Sequence, residues 1–427
     1  MKNLLLILLV CCSAMLGAQT VPGAAQSQPI VITGATIHVG NGQVIENGFI
    51  HFDKGKIIAT GPQANYQPIA GAKVVDGKGK HVYPGFIAAN TIVGLTEVDA
   101  VRPTRDYNET GDLNPNVRSI ISYNTDSKII PTLRFNGILL AEVAPQGGTI
   151  PGTSSVMQLD AWNWEDAAYQ TDVAIHLNWP AMYRRTGWWA EPGPVEQNKE
   201  YDGNIQQLRD FLKEAQAYAL LEKPAVKNLK LEAMKGLFNG TRKLMVHVDG
   251  SREILHALDF KKEFGIQLVI VGGDDSWLVA KQIKEANVPV LLGRLHALPG
   301  APEEPIDIRF KLPYLLQQED ILVGLSIWGS WEQRNLAFQA GTAAAYGLTK
   351  EQALSTITLN TAKILGIDKV TGSLETGKDA NLFISTGDAL DMRTNIIEAA
   401  YIQGREVVLA DHQQELNEKF KTKYSGQ

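Results

Sequence analysis

The stretch from Leu244 to Gly293, LMVHVDGSREILHALDFKKEFGIQLVIVGGDDSWLVAKQIKEANVPVLLG, sets the fold class. Leu244 to Val248 is an apolar run broken by one histidine, and Glu253 to Phe264 repeats apolar residues at helical spacing. Leu268 to Val271 is a second run, Ser276 to Ala286 a second amphipathic segment, and Pro289 to Gly293 a third run. Strands apolar on both sides that alternate with helices belong to a parallel sheet covered on both faces. The texture holds from Pro84 to about Gly366. Leu322 to Ile327 reads as a further buried strand, and Thr349 with Gln352 forms a capping box opening a helix that ends at Gly366. The expectation is an α/β chain with a (β/α)8 TIM-like barrel over 81–369.

On either side of the barrel the pattern changes. Ile30 to Val39, Gly48 to Asp53, Lys56 to Thr60 and Lys73 to Val75 are short β-branched runs divided by turns such as Gly40-Asn41-Gly42. Asn381 to Ile384 and Ala400 to Leu409 resume that texture after the barrel. Both chain ends are therefore expected to build one small composite antiparallel β-sandwich, 29–80 plus 370–411, with the barrel inserted in it. Residues 412–427 read as a polar, dispensable tail.

The 427 residues are 44% apolar and 20% charged, with a formal net charge of -6, which are ordinary globular values without a basic footprint for nucleic acid. Lys2 and Asn3 precede an apolar run from Leu4 to Val10 that continues toward Ala18, the pattern of a cleaved signal peptide over 1–18, followed by a polar linker over 19–28. Both cysteines, Cys11 and Cys12, fall inside it, so the mature chain is expected to fold without disulfides. No later stretch suits a membrane span. The expected location is periplasmic or secreted.

Three segments carry a family likeness: Val82-Tyr83-Pro84-Gly85-Phe86-Ile87 at one barrel edge, Gly372-Ser373-Leu374-Glu375-Thr376-Gly377-Lys378-Asp379-Ala380-Asn381-Leu382 at the other, and Ile357 to Gly366 between them. Together they resemble the amidohydrolase superfamily, in particular its imidazolonepropionase-like branch, over nearly the whole mature chain. The resemblance implies hydrolysis of carbon-nitrogen bonds other than peptide bonds by hydroxide generated on one or two divalent metals at the barrel mouth. Bringing the pKa of water from ~15.7 to ~7 requires several His or carboxylate ligands around a cation with a position left open.

Position by position, that ligand set is depleted. The family's first strand ends in His-x-His; here Asn90 and Ile92 stand there. Where the branch carries a lysine that forms a carbamate, this chain has Gln158. Its middle His-x-His is His247-Val248-Asp249, its next histidine is Gly272, and its last-strand aspartate is Trp328. The metal centre is expected to be degenerate and no cofactor is expected, although His247 with Asp249 could hold one divalent ion weakly.

His247 and Asp249 remain as a candidate acid/base pair, or as a leftover histidine in a polar pocket. Asp274 and Asp275 could line a site or favour the positive end of the helix that follows. Arg294 and His296 could receive an acidic ligand or satisfy each other in a loop. Asn90 and Gln158 could hydrogen-bond a ligand or fill the space a metal left. Five of eight Trp residues fall between Trp162 and Trp189, suggesting a lid, a sugar or peptide platform, a protein contact, or plain anchoring of a long insertion; Trp328 and Trp331 would extend it into the mouth. Val101 to Asp126 reads as another mouth loop. The expected function is an exported pseudoenzyme that binds a small molecule, sugar or peptide, or pairs with a catalytically complete relative or another copy of itself. The alternative is an active hydrolase of cyclic amides or dipeptides with a remodelled site.

Overall fold

The computed structural model of the chain describes residues 21–300 and 304–425; the expected signal peptide lies outside the described residues. Near the start run β1 (Ile30–His38), β2 (Val44–Asp53), β3 (Lys56–Pro62), β4 (Lys73–Asp76) and β5 (His81–Pro84). The barrel holds β6 (Phe86–Thr91), β7 (Ile138–Val143), β8 (Gly152–Gln158), β9 (Ala168–Asn178), a protruding ribbon of β10 (Tyr183–Trp188) and β11 (Glu191–Gln197), then β12 (Lys243–Val248), β13 (Leu268–Gly272), β14 (Val290–Leu292) and β15 (Val323–Leu325). The chain returns through β16 (Leu382–Ser385), β17 (Ile397–Ile402) and β18 (Arg405–Glu406).

The two ends do share one sheet, in the order β18-β17-β16-β5-β1-β2-β3, with β4 also paired to β1. It is a mixed sheet, since β4 and β5 both run parallel to β1, where an antiparallel sandwich was expected. Lys56 bridges to Asp379, so the sheet curls around its own core of Ile32, Ile50, Phe52, Val82, Leu382 and Tyr401. The single run expected over Ala400 to Leu409 is two strands, because Gln403 and Gly404 turn the chain at φ 47 and 73.

The barrel strands follow in the order β15-β14-β13-β12-β9-β8-β7-β6, and a parallel bridge from Ala89 to Ser326 closes the ring. Seven strands run one way and β8 runs against them. The reason is loop length: only Ala144 to Pro151 joins β7 to β8, shorter than the dozen or more residues a parallel crossover needs. Ile87, Leu140, Met245, Val269 and Leu291 fill the ring, while a larger apolar layer packs the helices outside it.

Local helix chemistry agrees with the sequence at some ends and not at others. The Thr349–Gln352 capping box is present. The helix it opens stops at Thr356, and a second one, Leu359–Leu365, ends on Gly366 at φ 77, because Thr356, Thr358 and Thr361 hydroxyls bond backbone carbonyls at the break. Ser276 to Ala286 likewise splits into a 3-10 turn, Ser276–Val279, and the short helix Ala280–Glu285. The polar tail is a helix, His412–Tyr424, capped by Asp411 and tied to the barrel by Thr132 Oγ1 donating to Gln413 Oε1 at 2.9 Å. No helix among the described residues is long and apolar enough to cross a membrane.

Candidate active site

At the carboxyl ends of β6, β12, β13, β14 and β15 the barrel opens into a cavity of about 640 Å3. Its lining includes Asn90, His247, Asp249, Gly272, Asp274, Arg294, Arg309, Ser326, Trp328 and Glu332. Of the sequence candidates, His247, Asp249, Asn90, Asp274, Arg294 and Trp328 thus meet at the mouth.

Two were misplaced. Gln158 ends β8, the strand that runs downward, and pairs with Leu140 near the start of β7, so it lies at the barrel's foot. There its Oε1 accepts from the Asp160 amide at 3.0 Å and from Arg405 at 3.1 Å. His296 points away from the mouth: its Nε2 meets Thr342 Oγ1 at 2.7 Å and its ring lies edge-on to Phe310, in a separate cavity with Lys350 and Asp388. The Trp cluster divides too. Trp162 and Trp164 follow β8 at the foot. Trp179 is buried, edge-on to Phe260 and donating to Tyr201, while Trp188 and Trp189 sit exposed at the tip of the β10–β11 ribbon. Only Trp328 lines the mouth cavity among the described residues, and it stays 59% exposed.

Sequence reasoning missed the two residues that organise the floor. Inward-facing positions of β7, β9 and β12 carry Glu142, His176 and His247. Glu142 and His176 are fully buried. His176 Nε2 meets Glu142 Oε1 at 2.9 Å, and His176 Nδ1 meets His247 Nε2 at 2.8 Å. The other Glu142 oxygen accepts from the Asn90 amide at 2.7 Å, which is possible because Asn90 takes a left-handed φ of 53 that bends β6 inward. Burial alone would raise the Glu142 carboxyl, yet the charge of His176 with hydrogen bonds from His176, Ser154 and the Asn90 amide holds it below the usual carboxylate range. Burial, then the charge of His176, pulls His247 down from 6.5 to about 3, against the opposing charge of Glu142.

These three side chains do not fit a divalent ion as they stand. The two nitrogens of His176 face opposite partners, so Glu142 and His247 are kept on either side of an imidazole instead of converging on one point. Among the described residues no group of three or more His, Cys, Asp or Glu side chains is placed to hold a metal. Gly272 offers no remedy: it sits at φ 95, and a Cβ there would run into the Asp249 carboxylate. Gly272→Ala is therefore expected to destabilise the protein by about 1–3 kcal/mol in urea unfolding, from positive-φ strain plus that clash.

Asp249 follows β12 and is exposed at the cavity mouth. Desolvation and then the neighbouring Asp274 charge push its carboxyl up to about 6, partly offset by the Asp274 and Gly273 amides and by Arg309. Asp274 pairs with Arg309 at 2.6 Å. Asp275 does not cap its own helix; its carboxylate accepts from the Ser251 amide at 3.1 Å and so serves the start of the neighbouring helix Ser251–Phe264. The expected mouth loop over Val101 to Asp126 is stitched down, with Arg118 paired to Asp172 at 2.8 Å and Asp112 accepting from the Thr149 amide.

A closed α/β ring with polar side chains gathered at its carboxyl mouth is a TIM-barrel enzyme scaffold. Residues 188–410 match the Amidohydrolase family, just over half of the sequence, and the chain belongs to that family. It is 36% identical over 118 residues to amidohydrolase tasK of Hapsidospora irregularis, a match covering 25% of this chain and 12% of that protein. It is 21% identical over 416 residues to an imidazolonepropionase of Flavobacterium psychrophilum, covering 84% and 92% of the two chains. The fold is similar to that of an amidohydrolase from Thermotoga maritima, with a TM-score of 0.76 at 24% identity over 89% of this chain and 99% of the other.

Proposed function

We propose that this chain is an exported, metal-independent member of the family that binds a small polar molecule at the barrel mouth. The observation that supports the reading is the serial order of Glu142, His176 and His247, which spends on one another the donor atoms that a metal would need. Without converging ligands, water at the floor is not acidified. The cavity nonetheless keeps its volume and a lining with both signs of charge, Asp249, Asp274 and Glu332 facing Arg294 and Arg309. Binding therefore survives where family hydrolysis does not. Small amides, sugars and short peptides are the ligand classes of a site this size. The exposed Trp188–Trp189 tip offers a contact for a catalytically complete relative or another copy of the chain.

Trp328 supplies the test. Chelator-treated protein titrated with dipeptides, cyclic amides and monosaccharides is expected to show a saturable emission change that Trp328→Phe abolishes and that added zinc leaves unaltered. A response that requires zinc, or none with any compound, overturns the reading.

A second reading rests on Asp249. A carboxyl raised to about 6 is suited to general acid/base work near neutral pH. Metal-independent turnover of cyclic amides or dipeptides, lost in Asp249→Asn and in His247→Ala, would favour it.

A further inference from the structure

Strands β10 and β11 form a two-stranded sheet that no other strand joins among the described residues. A two-stranded ribbon is marginal in water by itself. This one lies exposed along β10, with Tyr183, Trp188 and Trp189 51%, 56% and 89% accessible. Its two edges differ. β11 is interrupted by a bulge opposite Arg185 to Gly187 and carries Pro194, both of which discourage strand addition. β10 is continuous, and its free edge can be read residue by residue. The Asn198 amide donates to the Met182 carbonyl at 2.8 Å, and Trp188 pairs with Glu191 across the turn Trp189-Ala190. Alternation then points the backbones of Arg184, Thr186 and Trp188 toward β11, and turns the N–H and C=O of Tyr183, Arg185 and Gly187 outward.

We infer that the free edge of β10 pairs antiparallel with the same edge of a second copy of this chain, joining two ribbons into one four-stranded sheet about a two-fold axis through Thr186. Outward-facing residues must meet outward-facing residues, so Arg185 of one copy lies opposite Gly187 of the other, Arg184 opposite Trp188, and Tyr183 opposite Trp189. Each Arg184 guanidinium thereby reaches an indole, and the exposed aromatics are covered in cross-strand pairs. The neighbouring register, with the axis through Arg185, sets two like charges directly opposite each other and is disfavoured. An edge complementary to itself is what a two-fold dimer requires. The inference deepens the contact already ascribed to the Trp188–Trp189 tip, choosing a second copy over a relative, and it holds whether or not the mouth binds a ligand.

Sedimentation of the full chain is expected to show a dimer at micromolar concentration. Arg185→Pro removes one outward N–H per copy and leaves the β10–β11 ladder intact, since proline is accepted on a strand edge that faces solvent. It is expected to raise the dimer dissociation constant roughly a hundredfold, two hydrogen bonds at about tenfold each. Thr186→Cys reads the register. At the axis the two copies' residues form a close pair about 4.5 Å apart at Cα, within the roughly 4.4–6.8 Å that a disulfide spans. Mild oxidation is expected to give a covalent dimer beyond any that wild type forms, whereas Tyr183→Cys is expected to give none. A monomeric wild type overturns the inference, as does a folded Arg185→Pro variant that dimerises like wild type. A dimer in which Thr186→Cys forms no cross-link overturns it too, even where Arg185→Pro fails to fold. Each of these failures leaves ligand binding at the mouth untouched, and a mouth that binds nothing leaves the ribbon contact standing.

Discussion

Asp160→Ala is expected to destabilise the protein by about 3–5 kcal/mol, the loss that follows when a buried charge is left without its partner. Arg134 is the largest fully buried side chain, lying at the foot of the barrel with its guanidinium hydrogen-bonded to Asp160 and to the Leu159 carbonyl. The Asp160 carboxylate also accepts from the Gly23 amide at 2.8 Å and faces Arg405 of β18 at 3.5 Å. One side chain thus joins the start of the described chain, the barrel and the composite sheet. Urea unfolding checks the loss. Replacing the ion pair as a whole, with Arg134→Met and Asp160→Leu, is expected to recover most of it, because the cost lies in the unpaired charge and not in the missing attraction. A loss below about 1 kcal/mol for Asp160→Ala would mean that water reaches Arg134.

The second large effect is a pair of opposed pH dependences at the mouth. His247 falls from an ordinary 6.5 to about 3 on folding, so below pH 6.5 the unfolded chain binds a proton that the folded chain refuses. Its contribution is complete above pH 6.5 and is lost as pH drops toward 3. Asp249 rises from 3.8 to about 6, so its contribution is complete below 3.8 and is lost as pH rises through 6. The histidine slope approaches at most about 1.4 kcal/mol per pH unit; Asp249 is exposed at the mouth, so solvent screening keeps its slope well below that, and between pH 4 and 6 it offsets the histidine only in part. Asp249→Asn is expected to uncover the histidine slope, with stability falling up to about 3 kcal/mol from pH 6 to 4. His247→Gln is expected to uncover the opposite slope. Denaturant midpoints across that range check both, and parallel curves for the two variants would show that neither group titrates as described.

How much of this was legible in the sequence depends on what each residue's neighbours reveal. The β12-to-β14 stretch announces itself because apolar runs and helices alternate at regular spacing, and it delivers His247 and Asp249 to a strand end. Glu142 and His176 were equally available as lone charged or polar residues inside the apolar runs Ile138–Val143 and Val173–Leu177, where such groups are rarely buried unless paired. The signal was there. What hid it was that β7 to β9 form a meander without crossover helices, so the period of βα units fails where those residues lie. The same local feature misplaced Gln158, since a strand's direction follows from the loop before it. Asp274 and Asp275 show a different limit: their partners, Arg309 and the Ser251 amide, come from other elements, and no window of sequence contains them.

The most direct test of the site is calorimetric titration of chelator-stripped protein with zinc, run in parallel on His247→Ala. Because Glu142, His176 and His247 spend their donor atoms on one another, the expected result is no stoichiometric binding in the wild type and matching traces for the two proteins. Tight, saturable uptake by the wild type that His247→Ala abolishes would contradict it, and would return the mouth to the metal chemistry of the family.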